Sequence, residues 1–184
     1  MRLRIIAGTL RGRFLNIPDR DAEFRPTLER TRQSVLEIIK FHLPGATTAD
    51  ICAGSGAFGF EMISRGALKV DFIEKDRRRA ELIIKNSGIL SVTDQCRCIV
   101  EDVRTFLRKN KERYQVVFYD PPYADKDLAL LVPDLLKVLV ADGILVYERT
   151  SKQNYLQNLS ICDFCYDIRE FGDTVVEFYR CSEK

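Results

Sequence analysis

The sequence predicts an α/β fold in which a mostly parallel β-sheet is covered by helices and ends with an antiparallel strand. Two patterns predict it. From residue 47 onward, strand-like apolar runs alternate with helical segments, which is typical of parallel strands joined by helices. Near the C-terminus, the strand-like runs 163–171 and 174–180 flank Gly172-Asp173, a pair typical of a two-residue hairpin turn.

The N-terminal part differs from the rest and is predicted to be an appendage, residues 1–45, that packs on a core of residues 46–184. Segments 4–8 and 13–17 predict a small β-hairpin, and a helix with Thr27 as its N-cap follows. The appendage is too short to be independent. With 184 residues, the chain therefore has the length of one ordinary domain.

Positive charge is concentrated at the N-terminus. The first 32 residues hold eight arginines, no lysine and four acids, a net charge of +4 in a chain whose total is +2. The guanidinium group suits phosphate contacts and base stacking. The alternative is an exposed surface with ordinary ion pairs.

The elements of the core follow in order. The apolar runs predict strands at 48–52, 69–73, 96–100, 116–119 and 143–148. The segments between them predict helices at 57–65, 77–88, 103–110 and 128–140. In such sheets, ligands bind beyond the carboxyl ends of the strands where the strand order reverses, so a site is expected in the residues that follow the strands.

A turn of small residues follows the first core strand, which contains Asp50, and consists of Ala53, Gly54, Ser55 and Gly56. Small residues let a ligand approach the backbone at the positive end of the next helix. Together with Gly59, the glycines match the dinucleotide fingerprint G-x-G-x-x-G, and Glu74 stands near the expected ribose position. A nicotinamide or flavin enzyme is therefore one alternative.

The fourth core strand ends in Asp120-Pro121-Pro122-Tyr123. Two prolines lack N–H groups and restrict the backbone, so they form a stiff corner. The corner holds the Asp120 carboxylate, the Pro121 carbonyl and the Tyr123 ring in a fixed relation. Two acceptors beside a flat ring suit a planar group that bears an NH2. The simpler alternative is a strand-ending turn with a core tyrosine.

Acidic residues recur at the ends of four successive strands, and S-adenosylmethionine explains them better than a dinucleotide. They are Asp50, Glu74, Asp102 and Asp120. A carboxylate near the glycine turn is unhelpful beside pyrophosphate but suits a cationic amine. S-adenosylmethionine has an ammonium group, a sulfonium and a ribose but no phosphate. We expect Glu74 at the ribose and Asp102 at the adenine amino group; the alternative for both is helix capping.

At this point the chain resembles the bacterial RsmD-type enzymes, which methylate the exocyclic N2 of a guanine in small-subunit ribosomal RNA. The resemblance covers nearly the whole chain. Its motifs are Arg4-Ile5-Ile6-Ala7-Gly8, Arg11-Gly12-Arg13, Arg25-Pro26-Thr27, Asp50 with Ala53-Gly54-Ser55-Gly56, and Asp120-Pro121-Pro122-Tyr123. The resemblance implies a Rossmann-like, S-adenosylmethionine-dependent methyltransferase sheet of seven strands with an antiparallel last strand. Two departures, Cys52 for an aromatic and Phe58 for leucine, lie where they could alter cofactor affinity.

The resemblance implies direct methyl transfer to guanine N2. Hydrogen bonds to Asp120 and the Pro121 carbonyl would orient the amine, Pro122 would stiffen the corner and Tyr123 would stack on the base. The base must then be flipped out or unpaired. Adenine N6, a protein glutamine amide and a non-catalytic RNA-binding assembly factor are the alternatives.

The expected partner is ribosomal RNA within an assembled small-subunit particle, with phosphates contacted by Arg11, Arg13 and Arg25. A monomer is expected. No apolar run is long enough to span a bilayer and the N-terminus lacks a signal-peptide core, so the expected location is the cytoplasm.

Six cysteines and one histidine, His42, raise the question of a metal or a nucleophile. Cys96/Cys98 and Cys162/Cys165 are two close pairs, about 65 residues apart in the sequence. Reduced, buried thiols explain the pairs more simply than zinc, so no metal is predicted. One histidine near a helix end is expected to cap or pack.

Overall fold

The architecture comes from a computed structural model, which describes residues 2–17, 29–152, 156 and 164–180. The strands are β1 (Arg2–Arg4), β2 (Phe14–Asn16), β3 (Thr47–Ile51), β4 (Lys69–Ile73), β5 (Cys96–Ile99), β6 (Tyr114–Tyr119), β7 (Leu139–Thr150), β8 (Cys165–Phe171) and β9 (Thr174–Arg180). The helices are α1 (Glu29–Ile38), α2 (Ala57–Ser64), α3 (Arg77–Leu90), α4 (Val103–Lys109), α5 (Lys126–Ala129) and α6 (Val132–Leu136).

The main sheet has seven strands in the order β5-β4-β3-β6-β7-β9-β8. Strands β3 to β7 are parallel, and β9 is antiparallel to both of its neighbours. The prediction of a mostly parallel sheet with an antiparallel last strand is confirmed. That last strand is inserted between β7 and β8 rather than lying at the edge. The strand order reverses between β3 and β6, so their carboxyl ends are the expected place for a ligand.

Side chains alternate between the two faces of the sheet and form two separate cores. On β6, Val116 and Phe118 pack toward α1, α2 and α3, whereas Val117 and Tyr119 pack toward α4, α5 and α6. Asp50 on β3 is in register with Phe118, so it faces the α2 side of the sheet.

The predicted N-terminal hairpin is present, but its paired strands are β1 and β2, and residues 5–13 form the connecting loop. The loop packs on the C-terminal end of α2. A Cβ at Gly8 would lie 1.8 Å from the Ser64 carbonyl oxygen, and the backbone there has φ +80°. In the same loop, the Ile6 N–H donates to buried Glu61 (2.7 Å). The appendage therefore docks on α2 through backbone contacts that require a glycine at position 8.

The predicted helix 128–140 is wrong in its extent. Two short helices, α5 and α6, replace it, because Pro133 lies at the start of α6 and supplies no N–H to continue a helix. Strand β7 then begins four residues earlier than predicted, since Leu139 pairs with Tyr114 before a register shift. Asp142, at φ +58°, lies within this irregular start of the strand. The predicted cap Thr27 lies outside the described residues.

Candidate functional site

The glycine turn is shaped by close packing of α2 on the sheet. The Gly54 N–H donates to Glu74 Oε2 (2.7 Å), which joins the end of β3 to the end of β4. Gly56 precedes α2 at φ +74°, and a Cβ at Gly59 would lie 2.2 Å from the Phe72 ring. Neither position accepts a larger residue without displacing the helix. The turn therefore keeps the start of α2 against the strands, with Ala53 and Gly54 half-buried at its surface.

Asp50 is buried beneath this turn. Its Oδ2 atom accepts the Gly59 N–H at 2.8 Å. Burial is the main reason that the pKa of the carboxyl is raised to about 8; the Gly59 hydrogen bond opposes this rise and the negative Glu74 adds to it. A cation placed beside Asp50 would reverse the effect of burial and return the group to its ionised form.

Asp120 stands at the carboxyl end of β6, where its N–H donates to the Ile51 carbonyl (3.3 Å). Among the described residues, no donor bonds its half-buried carboxylate. Burial, followed by the negative charges of Glu148 and Asp50, holds the pKa of this carboxyl well above its usual range. The Asp120 oxygens are therefore available to a ligand.

The two prolines of the corner differ in their carbonyl groups. The Pro122 carbonyl accepts the Asp125 N–H (3.0 Å), which closes a turn into α5. Within the described ranges of the chain, no group donates to the Pro121 carbonyl. Among the described residues, the corner thus leaves two acceptors without a donor, the Pro121 carbonyl and the Asp120 carboxylate.

The Tyr123 hydroxyl is held by side chains of the neighbouring strands. It donates to Glu148 Oε1 at 3.1 Å, and Thr174 also contacts the hydroxyl. Burial and the nearby charges of Asp120 and Glu148 raise the pKa of the phenol, so it remains protonated as a donor. The half-buried ring is fixed by this bond beside the Asp120 carboxylate.

Glu148 is a site residue that the sequence reasoning missed. It is buried near the end of β7, one residue after Tyr147, which pairs with Tyr119 on β6. This register places Glu148 level with Asp120. An acid that follows the apolar run Ile144–Tyr147 repeats the pattern of acids at the strand ends, and that signal could have identified it.

Four acidic side chains lie together at the centre of the site. Four carboxylates lie at the ends of the adjacent strands β4, β3, β6 and β7, and they are Glu74, Asp50, Asp120 and Glu148. Burial, followed by the charges of Glu74, Asp120 and Asp50, raises the pKa of the Cys52 thiol, and the Lys75 charge opposes this rise. A cationic ligand lowers the cost of burying such a group of acids.

The other predicted cofactor residues lie around this centre. Ser55 is buried in the turn, beside Ala53. Asp102 caps α4, because its Oδ1 accepts the Arg104 N–H (2.9 Å), and its side chain is 39% exposed. Its second oxygen contacts the Arg104 guanidinium at 3.4 Å. Asp102 is thus both a cap and a half-exposed carboxylate one strand beyond Glu74.

The two departures from the family pattern behave differently. Cys52 borders the acids with its backbone in the left-handed region, at φ +63°, which is unusual for a residue with a side chain. Phe58 is buried and stacks on Phe118 with ring centroids 3.5 Å apart, so it belongs to the core beneath the turn.

The arginines predicted to contact RNA are not grouped at this site. The Arg13 guanidinium donates to the Ile89 carbonyl near the end of α3 (2.6 Å), and the loop carrying Arg11 packs on the end of α2. Both helices begin at the site and run toward the opposite end of the sheet, where the parallel strands begin. At 1.5 Å per residue, that end is about 12 Å or more away. Arg25 lies outside the described residues.

Within the described ranges, no group of three His, Cys, Asp or Glu side chains is placed to hold a metal. Cys52, Cys96 and Cys98 are free thiols, whereas Cys162 and Cys181 lie outside those ranges. None of the helices in the described part of the chain combines the length and apolar character needed to cross a membrane.

Comparison with known proteins places the chain among methyltransferases. A family model described as conserved hypothetical protein 95 matches residues 3–180. The ribosomal RNA small subunit methyltransferase D of Escherichia coli K12 is 32% identical over 159 residues, which are 84% of this chain and 77% of that protein. The protein of the same name from Haemophilus influenzae is 32% identical over 161 residues, 84% of this chain and 81% of that one.

Solved structures agree on the fold. The Escherichia coli protein yhhF is 27% identical, with a TM-score of 0.84 and all of both chains covered. A hypothetical protein of Thermus thermophilus is 29% identical, covers 97% of this chain and 99% of its own, and has a TM-score of 0.82. An RNA methyltransferase of Salinibacter ruber in complex with S-adenosyl-L-homocysteine shares the fold alone, at 16% identity and a TM-score of 0.67 over 87% of this chain and 95% of that one.

Proposed function

The chain belongs to the RsmD-type family, whose model is described as conserved hypothetical protein 95, and on that premise we propose that it methylates ribosomal RNA with S-adenosylmethionine. The acceptor proposed is the exocyclic N2 of a guanine in the small-subunit RNA. The names of the relatives support the RNA as substrate. The geometry of the proline corner supports an exocyclic amine as the reacting group.

The observation that carries the proposal is the pair of open acceptors at the switch point of the sheet. The Asp120 carboxylate and the Pro121 carbonyl point to no donor among the described residues, although both are fixed by the chain around them. An NH2 group has two protons, and two acceptors in fixed positions can take both. The same hydrogen bonds would turn the nitrogen lone pair away from the aromatic ring system and make it a better nucleophile.

The cofactor proposed fits the charge of the site. When bound, S-adenosylmethionine supplies an electrophilic methyl group carried on a cationic sulfonium. Asp50 would face its ammonium group, and Glu74 would accept from the ribose hydroxyls. Both Glu74 oxygens already accept backbone N–H groups, from Gly54 and Asp76 (2.7 and 2.9 Å), and a carboxylate oxygen can accept a second hydrogen bond. Asp102 would reach the adenine amino group.

Asp120 has a second role in the proposal, because positive charge develops on the attacking nitrogen. A carboxylate beside that nitrogen stabilises the charge where water is largely excluded. Tyr123, fixed by Glu148, would stack on the base, and such a stack contributes about 1–3 kcal/mol. Since a paired base hides its amino edge, the target must be unpaired or flipped out.

We propose that the substrate is RNA within an assembled small-subunit particle, that the enzyme acts as a monomer in the cytoplasm, and that the appendage, residues 1–45, contacts flanking RNA. Arg11, Arg13 and Arg25 would reach phosphates away from the target base rather than beside it, since the first two lie near the ends of α2 and α3.

The test supplies labelled S-adenosylmethionine and small-subunit particles from cells that lack the endogenous activity, and then identifies the labelled nucleoside. The expected product is N2-methylguanosine. Asp120→Ala is expected to lower turnover about 10²–10³-fold with cofactor affinity nearly unchanged. Label in N6-methyladenosine or in protein would show that the acceptor is not guanine N2. No transfer to any component, with RNA still bound, would favour an assembly factor.

A further inference from the structure

A group of exposed cations adjoins the site at the start of α3. Lys75, Arg77 and Arg78 are exposed, and their charged groups form no hydrogen bond or ion pair with residues 2–17, 29–152, 156 or 164–180. The nearest acid in the sequence, Asp76, uses its carboxylate to cap α3 by accepting the Arg79 N–H (3.0 Å). These three cations therefore have no partner within the described structure.

Their position on the helix is electrostatically unfavourable. Arg77 and Arg78 are the first two residues of a 14-residue helix. The N-terminus of a helix carries partial positive charge, so acids are favoured there and cations are disfavoured. Residues that go against a local structural preference are more often found at binding sites than at positions that serve folding.

The three cations also lie on the side of the molecule where the reacting groups are. Lys75 follows Glu74, which accepts a hydrogen bond from the glycine turn. The Lys75 charge acts to lower the pKa of the Cys52 thiol inside the site. Strand β4 is two strands from β6, so the group lies on the order of 10–15 Å from Asp120 at about 4.8 Å per strand. Arg11 and Arg13, in contrast, lie at the opposite end of the sheet, where the parallel strands begin.

We propose that Lys75, Arg77 and Arg78 bind the phosphates of the RNA strand that flanks the target base. The inference rests on the proposed function, because it assumes an RNA substrate at the Asp120 corner. At about 3.4 Å per nucleotide, a distance of 10–15 Å corresponds to roughly three to four nucleotides along one strand. The planar guanidinium groups of Arg77 and Arg78 suit bidentate contacts with phosphate oxygens.

The test compares two charge-matched double variants. Arg77→Gln/Arg78→Gln removes two cations beside the site. Lys111→Gln/Arg113→Gln removes two exposed cations from the loop before β6, at the opposite edge of the sheet, where the described residues offer them no partner. Each fluorescently labelled protein is titrated by anisotropy with small-subunit particles that carry the unmodified target, between about 50 and 200 mM salt, a range of the order used for counterion release.

For Arg77→Gln/Arg78→Gln, RNA affinity is expected to fall about 10-fold or more, and the slope of log affinity against log salt to decrease by roughly one to two. S-adenosylmethionine affinity by calorimetry should stay the same. Because two cations leave the positive end of a helix, Tm should rise by about 1–4 °C. The Lys111→Gln/Arg113→Gln control should match the wild-type protein in RNA affinity.

The outcomes separate this inference from the function it rests on. If the wild-type protein methylates ribosomal RNA and both double variants bind RNA equally well, the cations do not contact RNA and only this inference fails. Loss of S-adenosylmethionine binding in Arg77→Gln/Arg78→Gln would also overturn it, by assigning the cations to the cofactor. If the wild-type protein neither binds the small-subunit particles nor methylates their RNA, the proposed function itself is wrong.

Discussion

Glu148→Gln is the most informative change at the site, because it keeps the shape of the side chain and removes its charge. Glu148 accepts a hydrogen bond from the Tyr123 hydroxyl (3.1 Å), and the Glu148 charge raises the pKa of Asp120. Glutamine retains an acceptor for the hydroxyl, so Tyr123 should stay in place. The main effect should therefore appear on Asp120, which must be ionised to stabilise the positive charge that develops on the attacking nitrogen.

The size of the effect follows from the register of the strands. Asp120 and Glu148 lie level on neighbouring strands about 4.8 Å apart, so their carboxylates are separated by roughly 5–7 Å. At an effective dielectric constant of about 20, two like charges at that distance repel by about 2–3 kcal/mol. Water around the half-buried Asp120 reduces this to roughly half, which corresponds to about one pKa unit.

The direction can be checked in the pH dependence of kcat/KM. Burial and its neighbours raise the pKa of Asp120, so activity is lost as pH falls through that raised value. Besides Glu148, the groups that face Asp120 are Asp50, the Cys52 thiol and the Tyr123 phenol. Removal of the Glu148 charge lowers the pKa of Asp120, so the acidic limb should move about one unit to lower pH.

The assay follows methyl transfer to ribosomal particles from about pH 5 to 9 at saturating cofactor. Asp142→Asn is the matched control, since Asp142 is an exposed acid on the same strand and asparagine tolerates its φ of +58°. The control should leave the acidic limb unchanged. An acidic limb in Glu148→Gln that coincides with that of the wild-type protein would refute the coupling between Glu148 and Asp120.

Three further predictions follow from the same contacts. Tyr123→Phe, which keeps the ring but loses its bond to Glu148, should lower kcat/KM several-fold, whereas Tyr123→Ala should lower it by a further ~10-fold or more; equal losses would argue against stacking. Since the pKa of Asp50 is raised to about 8, wild-type stability should decline as pH rises from about 4 to 8, and Asp50→Asn should flatten this decline in thermal melts while weakening S-adenosylmethionine binding. Gly8→Ala places a Cβ 1.8 Å from the Ser64 carbonyl and should cost about 2–4 kcal/mol of unfolding free energy, whereas Gly45→Ala, also at positive φ but with nothing within 4 Å, should cost about 1 kcal/mol; similar denaturation midpoints would contradict this reasoning.

The sequence predicted the parts of the site that depend on local chemistry. The expected stiffness of the corner follows from two adjacent prolines, and no donor among the described residues bonds the Pro121 carbonyl. The glycine turn followed from residue type, and Gly54 and Gly56 both have positive φ. Glu148 was missed because its role depends on a hydrogen bond from Tyr123, which lies 25 residues away in the chain.

The long predicted helix at 128–140 failed for a related reason. Helical propensity favoured one element, but Leu139 pairs with Tyr114 on β6, and this pairing draws the chain into β7. Ladder hydrogen bonds to a neighbouring strand outweigh a local preference that is worth less than about 1 kcal/mol per residue. A partner so distant in the chain cannot be read from periodicity.

The order of residue types alone determined that this protein would form an α/β sheet with acids at the strand ends and a rigid corner after the fourth core strand. These properties depend on neighbours in the chain. Only the tertiary structure decided that β9 lies inside the sheet, that Arg11 and Arg13 lie at the edge away from the site, and that Glu148 supports Tyr123. Those outcomes depend on which distant segments pack together, which is a property of the whole folded chain.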